Sequence, residues 1–548
     1  MGYQNRELRE KIEKLCLDKV EEGLRLPSSG GPGCFDILGL VFLRYICTAA
    51  VEFRRKAAAP SGNVPKQNPG AGGKDTEDEI RNVFGIARDI AKGDAKGDAR
   101  DAARDAGVFL VPESAAWDAI FPGPGDSEDA QGALQTTARA IAQAIRAIEA
   151  ENPALKDVFP KTLTRPSSRP APAESAGQDS FFPLELGRLL GGLSAAEAGQ
   201  VFTELLREFE KLSALRSPRS RGESAPGRPE GGTLSGVAVP RGIAELLAVM
   251  LEPYQGRFCD PCCGSAGLLA GAADFVTMGQ GKLLELSFYA QERNMETWRL
   301  AKMNLIVRGI DTTEIRQNAG SPLQRDLHGD IKFDFIAACP PVEEGAYPWI
   351  PYVLDRLSPT GLGALIFPRS SLNAPKGDEQ GIRRNLVEGR LLDCVVNLPP
   401  RIFSSHSLSP CIWFFSRPKI SRGRRSDETL FIDARKLGRP LNRRQWDFSG
   451  DDINRIARTY HNWRFPKAAP YRDIRSFAAS AHLARIRETG YNLNPALYLG
   501  IPEEEEETGQ GAHFAALRAE FEALTREEPR LSRQLVEALR KIRSEDLR

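Results

Sequence analysis

Phe258-Cys259-Asp260-Pro261-Cys262-Cys263-Gly264-Ser265-Ala266-Gly267 reads as the end of a buried strand, a tight turn and the start of a helix. In open α/β sheets, ligands bind outside the carboxyl ends of the strands. Gly264 and Gly267 leave room for a backbone to approach such a ligand closely. A second polar element stands at the next strand end, where Gln291-Glu292 follows LSFYA. A carboxylate there can accept both hydroxyls of a ribose, as acidic residues do in nucleoside-binding α/β folds. The turn lacks the Gly-Lys-Ser/Thr of a phosphate-binding loop. The competing structural reading is a plain glycine turn beside a surface glutamate. Cys259 and Cys262 form a CxxC with Cys263 adjacent, but a structural zinc needs four ligands and no second pair lies at metal spacing, so no metal is expected.

Around this stretch, short apolar runs alternate with helical ones. GRFCDPCCG, LSFYAQE, FDFIAACPP, GALIFPRSSL, LLDCVVNLPP, SPCIWFFSR and ETLFIDAR are strand candidates, and METWRLAKMNLIVRG is a helix among them. Such alternation predicts an α/β domain whose mainly parallel sheet is covered on both faces, here residues 180–440. Residues 1–165 form a predicted N-terminal helical domain, in which LGLVFLRYICTAAVEF carries an apolar stripe. Pro/Gly-rich segments interrupt it at PSGNVPKQNPGAGGKD and again at RPSSRPAPAESAGQD. The charged Ala repeat from Ala91 to Gly107 reads as a solvated helix or linker. The arginine-rich RSPRSRGESAPGRPEGG reads as a basic flexible loop, with a phosphate-contacting strip as the functional alternative. Residues 441–548 are charged and predicted helical; after the acidic Glu503–Glu507 run comes a terminal helix with near-heptad spacing, suited to packing on its own domain or a partner.

A chain of 548 residues is too long for one ordinary core and predicts two or three domains. The net charge of +1 means that any nucleic-acid contact must use a local patch or a partner subunit. The charged start MGYQNRELREKIEKL and the lack of an evident 18-residue apolar run argue against a signal peptide and a membrane span. Nine cysteines, an odd number scattered through the chain, fit reduced thiols in a cytoplasmic protein.

DPCCGSAG, AQERNMETWRLAKMNLIVRGI and FDFIAACPP resemble the cofactor- and base-binding motifs of S-adenosylmethionine-dependent N6-adenine DNA methyltransferases. More narrowly, they resemble those of the modification subunit of type I restriction–modification systems. The likeness extends to LGLVFLRYI and VFLVPESAAWDAI near the start, to RLLDCVVNLPPRIFSSHSLSPCIWFFSR and TLFIDARKLG, and to DDINRIARTYHNWR and GYNLNPALYLG. It implies a Rossmann-like methyltransferase domain between helical regions. It further implies that Asp260, Pro261, Gly264, Ser265 and Gly267 surround S-adenosylmethionine and that Glu292 holds its ribose. Cys339, Pro340, Pro341 and Val342 occupy the catalytic tetrad. The implied partners are DNA, reached through a specificity subunit, and a nuclease/translocase subunit.

The tetrad departs from the family's Asn-Pro-Pro-Phe. There the Asn oxygen and a proline carbonyl accept the two N–H bonds of the adenine amino group, and the aromatic ring stacks on the flipped base. A thiol is a poor acceptor beside an amide oxygen, and Val342 has no π face. Three further departures accompany this one. The family's aromatic-Thr-Pro reads Ala238-Val239-Pro240, a loop glycine is replaced by Ala266, which narrows the room for the cofactor, and only VEEGAYP separates Pro341 from Trp349, too short for a lid. Three readings stay open: a divergent adenine methyltransferase, a pseudo-methyltransferase serving as cofactor-binding or scaffold subunit, and a transferase for another acceptor. A nucleophilic Cys339 would need a low-pKa setting, and no His or Lys stands close in sequence.

Overall fold

The computed structural model describes residues 2–25, 34–58, 109–121, 130–164, 182–215, 239–279, 281–373, 377–403, 409–417, 425–441, 446–465 and 470–500. The insertion at 60–75, the repeat at 91–107, both linkers (165–179 and 216–232), Ala238, the acidic run and the terminal heptad helix lie outside the described residues.

Five helices build the first core: α1 (Gly2–Arg25), α2 (Cys34–Ala58), α3 (Ala130–Glu151), α4 (Phe182–Leu190) and α5 (Ala195–Leu215). Helix α2 is apolar nearly all round, with Ile37, Leu38, Leu40, Val41, Phe42, Leu43, Ile46 and Cys47 buried, as befits a helix enclosed by others. Its window Cys34–Glu52, of mean hydropathy 1.8, is long and apolar enough to cross a membrane, a feature the sequence reading missed. The window is 67% buried inside the protein, which makes it a core helix here. The Phe42 ring meets Phe159 at 5.3 Å and Phe202 at 6.2 Å. Helices α4 and α5, which a division at residue 180 assigns to the second domain, bury Leu186, Leu190, Phe202, Leu205 and Phe209 in this helical core.

The second unit is a nine-stranded sheet. Its strands are β1 (Gly256–Asp260), β2 (Leu286–Glu292), β3 (Ile315–Gln317), β4 (Phe333–Ala338), β5 (Leu357–Pro368), β6 (Leu392–Asn397), β7 (Pro410–Ser416), β8 (Glu428–Asp433) and β11 (Ala478–His482). A separate ribbon pairs β9 (Arg439–Pro440) with β10 (Trp446–Asp447). The order is β11-β8-β6-β7-β5-β4-β1-β2-β3. Neighbours are parallel except where β7 runs against β5 and β6, and β11 against β8. All seven strand candidates form strands. The nearly unbroken apolar runs arise because both faces are covered. Phe258, Ala337, Ile366, Val396, Phe414 and Ile432 point into one layer. Their chain neighbours Cys259, Ile336, Phe367, Val395, Phe415 and Phe431 point into the other.

Helices α6 (Arg241–Leu251), α7 (Gly267–Met278) and, after β10, α11 (Gly450–Arg464) cover the first face, whereas α9 (Trp349–Arg356), α10 (Gly377–Glu388) and α12 (Leu483–Glu488) cover the second. The chain after residue 441, read as helical, thus also supplies the edge strand β11. Helix α8 (Met295–Ile306) joins the two cores: Trp298, Ala301 and Leu305 face the sheet, and Leu300, Met303 and Ile306 enter the helical core. Arg299, 1% exposed, donates to the Asp157 carbonyl at 2.8 Å, and Lys302 donates to that of Ala154 at 3.0 Å.

Candidate functional site

From β1 the chain moves through β2 to β3 on one side, then returns to β4 on the other side of β1. The carboxyl ends of β1 and β4 therefore flank the switch point of the sheet, where open α/β folds place their ligands. The register Cys259↔Ile336 brings Asp260 and Cys339 to adjacent strand ends.

After Asp260, Pro261 is buried and the turn runs to Ala266. Gly264 has φ +55°, and a Cβ there would meet nothing within 4 Å, so the backbone faces open space. Ala266 also adopts a left-handed conformation (φ +65°) at the start of α7. Its methyl is fully buried in the main core. The expectation that Ala266 narrows the ligand's room is therefore corrected: the substitution acts on backbone strain, since an L residue in this region costs about 1–2 kcal/mol. At Gly267 a Cβ would lie 3.6 Å from the Val239 carbonyl, so the Val239-Pro240 stretch borders the turn.

Hydrogen bonds fix the turn from three sides. The Cys263 amide donates to the Gln291 carbonyl at 3.0 Å, and the Cys262 amide to Asp260 Oδ1 at 3.1 Å. Glu292, at the end of β2, accepts from the Gly264 amide on Oε2 (3.0 Å) and from the Asn294 amide on Oε1 (2.7 Å). Asn294 in turn caps α8 by accepting from the amides of Glu296 and Thr297. The Ser265 carbonyl accepts from Asn304 Nδ2 at 2.8 Å, while its hydroxyl donates to Glu210 of α5 at 2.5 Å. Asp260 is 2% exposed, and burial lifts its carboxyl to about 8, helped by Glu292 and opposed by the Cys262 amide. Burial likewise raises Glu292, against three backbone amides and the Arg293 charge.

At the end of β4, Cys339 is half-buried, Pro340 buried and Pro341 half-buried. Val342 opens a 3-10 turn to Glu344. Burial, reinforced by Asp260, pushes the Cys339 thiol up to about 12, the reverse of what a nucleophilic cysteine needs. The segment toward α9 is fastened down: Tyr347 donates to the Ser371 carbonyl at 2.5 Å and accepts from Arg383 at 2.5 Å, and Trp349 is fully buried.

Two features escaped the sequence reading. One is the polar layer beneath the strand ends. Buried Gln291 donates to Asp326 Oδ1 at 2.7 Å and accepts from Asn318 at 2.9 Å, and Asp326 takes Arg356 at 2.8 Å. A Gln directly after an apolar strand was its only signal. The other is Glu210, which lies 55 residues from the loop it touches and has no local signal at all. A groove of about 770 Å³ lined by Tyr254, Gly256, Asp334, Arg464 and Phe465 opens at the amino ends of β1 and β4, the end of the sheet away from this chemistry.

The model of the N-6 DNA methylase family matches residues 231–347 and 341–507. The chain is 34% identical over 325 residues to the methylase subunit of the type I restriction enzyme HindI of Haemophilus influenzae, covering 55% of this chain and 71% of that relative. It is 26% identical over 332 residues to the MjaIX methylase subunit of Methanocaldococcus jannaschii, covering 55% and 58%. A solved type I restriction–modification methyltransferase subunit from Streptococcus thermophilus shares its fold, with a TM-score of 0.63 at 18% identity over 90% of this chain and 99% of the other. The chain belongs to the N-6 DNA methylase family, among the methylase subunits of type I restriction enzymes.

Proposed function

We propose that the chain binds S-adenosylmethionine between the carboxyl ends of β1 and β4. In this reading it serves as a modification-type subunit that supplies a cofactor site and subunit contacts while transferring methyl groups to adenine poorly. The observation that carries the cofactor reading is the pair of desolvated carboxylates, Asp260 and Glu292, beside the open backbone of Gly264. A buried and a half-buried acid, both of raised pKa, suit a ligand that brings positive charge, and the cofactor carries a sulfonium and an ammonium. Its bound form supplies an electrophilic methyl group. Glu292 already accepts two amides, yet a carboxylate has about four lone-pair directions and keeps capacity for a ribose diol.

The acceptor side argues against efficient transfer. Cys339 is a protonated thiol where an amide oxygen would hold the amino group of the base. Losing such an acceptor costs roughly 2.7–4 kcal/mol, and losing the stacking ring about 1–3 kcal/mol more. Together these correspond to about 10³- to 10⁵-fold in rate. The net charge of +1 fits a subunit that reaches DNA through a specificity partner, with a nuclease/translocase subunit as the further member of the assembly.

Calorimetric titration with S-adenosylmethionine, beside Asp260→Ala, tests the cofactor half. Micromolar binding lost in the variant supports it, and absence of binding in the parent retires it. Methylation assays with a co-expressed specificity subunit test the other half, and turnover at ordinary rates would overturn it.

A further inference from the structure

We infer that Glu210 is a positioning residue for the loop between β1 and α7, and that through it the helical unit sets the conformation of that loop. The inference rests on the reading of this loop as a cofactor loop only for its functional consequence; the coupling itself stands on geometry.

Ser265 sits between two left-handed residues, Gly264 at φ +55° and Ala266 at φ +65°. A backbone of this kind persists only where its surroundings over-determine it. Both handles of Ser265 are taken from outside the loop. Its carbonyl accepts from Asn304 on α8 at 2.8 Å, and its hydroxyl donates to Glu210 on α5 at 2.5 Å. Ser265 itself is only 8% exposed, so neither bond is shared freely with water.

Glu210 follows Phe209 at the edge of the buried stripe Val201, Phe202, Leu205, Phe209, where an apolar residue would be cheaper. Burial lifts its carboxyl to about 7, against the Ser265 hydroxyl and the charges of Arg207 and Arg308, so the acid is held at a cost to stability. Arg308 is itself engaged, with Asp274 of α7 at 3.0 Å and the Asn304 carbonyl at 2.9 Å. The same small region thus ties α5, α8, the loop and α7 together, and Glu210 is the helical unit's contribution. A shift of α5 would move the carboxylate that accepts from the Ser265 hydroxyl in the strained turn. A charged hydrogen bond of this kind spans roughly ten- to a hundredfold in an equilibrium constant.

The test uses the full chain in four variants: Glu210→Ala, Glu210→Gln, which keeps an acceptor, Ser265→Ala, and the double variant Glu210→Ala with Ser265→Ala. Hydrogen exchange without cofactor is read on peptides spanning 261–270 and, as a reference, on α2. Glu210→Ala and Ser265→Ala should speed exchange in the loop about ten- to a hundredfold while α2 stays protected, and Glu210→Gln should stay near the parent. The affinity for S-adenosylhomocysteine should fall by a similar factor in either alanine variant, with no further loss in the double variant. Unchanged loop exchange in both alanine variants overturns the inference, as does acceleration that extends equally to α2. If Glu210→Ala fails to fold, the contrast between Ser265→Ala and Glu210→Gln decides alone. Loop acceleration in a parent protein that binds no cofactor would leave the coupling standing and remove only the cofactor reading.

Discussion

Cofactor affinity should rise with pH through the titration of Asp260. Burial lifts this carboxyl from the ordinary 3.8 to about 8, with Glu292 adding to the rise and the Cys262 amide opposing it. Glu292, the other acid facing the loop, is itself raised by burial and held by the amides of Gly264 and Asn294. In the free protein only about 1% of Asp260 is then ionised at pH 6 and about 10% at pH 7. A ligand with a fixed positive charge selects the ionised form and displaces the proton. Its apparent association constant should grow nearly tenfold per pH unit below about pH 7 and level off above about pH 9. Titration calorimetry with S-adenosylmethionine at pH 6, 7 and 8, in two buffers of different ionisation enthalpy, reads both slope and proton release. Close to one proton per cofactor should leave at pH 6. Asp260→Asn keeps an acceptor for the Cys262 amide but removes the charge, so its binding should be weak and flat with pH. Stability runs the other way. A folded-state pKa raised above the unfolded one gives a stabilisation fully present below about pH 4 and lost as pH rises through about 8. Above that point Asp260→Asn should therefore be more stable than the parent when cofactor-free, by up to about 6 kcal/mol. A parent affinity that is flat with pH, or a slope that survives in Asp260→Asn, would refute the reasoning.

Three further outcomes are expected. Cys339, with its thiol pushed up to about 12, should react with iodoacetamide at pH 8 at least about a thousandfold more slowly than a free cysteine, as followed by mass spectrometry of the digested protein; rapid labelling would return a nucleophilic role to it. Cys339→Asn combined with Val342→Phe restores an amide acceptor and a stacking face, and should raise DNA adenine methylation by about a hundredfold or more when a specificity subunit is supplied; no gain would place the defect elsewhere. Gly264→Ala should cost only about 1–2 kcal/mol in chemical denaturation, since its Cβ meets no atom within 4 Å, yet weaken cofactor binding more than tenfold, whereas Gly256→Ala, whose Cβ would sit 2.5 Å from Asp334 Oδ2 at φ +104°, should destabilise the fold and spare the affinity of the folded fraction.

The legible parts of this chain are those where one short stretch carries the whole physical requirement. A strand buried on both faces reads as a nearly unbroken apolar run, and β6 and β7, buried throughout, stand out for that reason, with Asp393, Asn397 and Ser416 as their polar exceptions. The loop after β1 announces itself because glycine is needed where φ turns positive. The edge strand β11, Ala-Ala-Ser-Ala-His, carries no β-branched residue and exists because β8 offers it a backbone ladder. The three residues of β3 are too few to show a period. In α2, Asp36 and Arg44 interrupt the apolar run, so that its apolar character shows only in the window average. Glu210 lies furthest from legibility: a glutamate beside a helix's apolar stripe looks like any solvated acid until the fold brings Ser265 to it.

The departures from the family's residues are distributed unevenly, and that distribution bears on function. On the β1 and β2 side, the proposed cofactor residues Asp260, Gly264, Gly267 and Glu292 match the residue types of the resembled motif, and every amide of the turn named above has a fixed acceptor. Two changes fall there: Ala266 turns its methyl into the core, and Val239, where the family has Thr, borders the turn at Gly267. On the β4 side, the amide acceptor and the ring are both gone, and the segment that follows is pinned by Tyr347 and Trp349 instead of being free to close. Random decay of an idle enzyme would erode both sides, because a desolvated pair such as Asp260 and Glu292 is expensive to keep and most replacements there would relieve the fold. In the proposed reading, retention of two desolvated acids beside an altered acceptor site fits a subunit whose cofactor occupancy still matters, as a ligand that stabilises the loop.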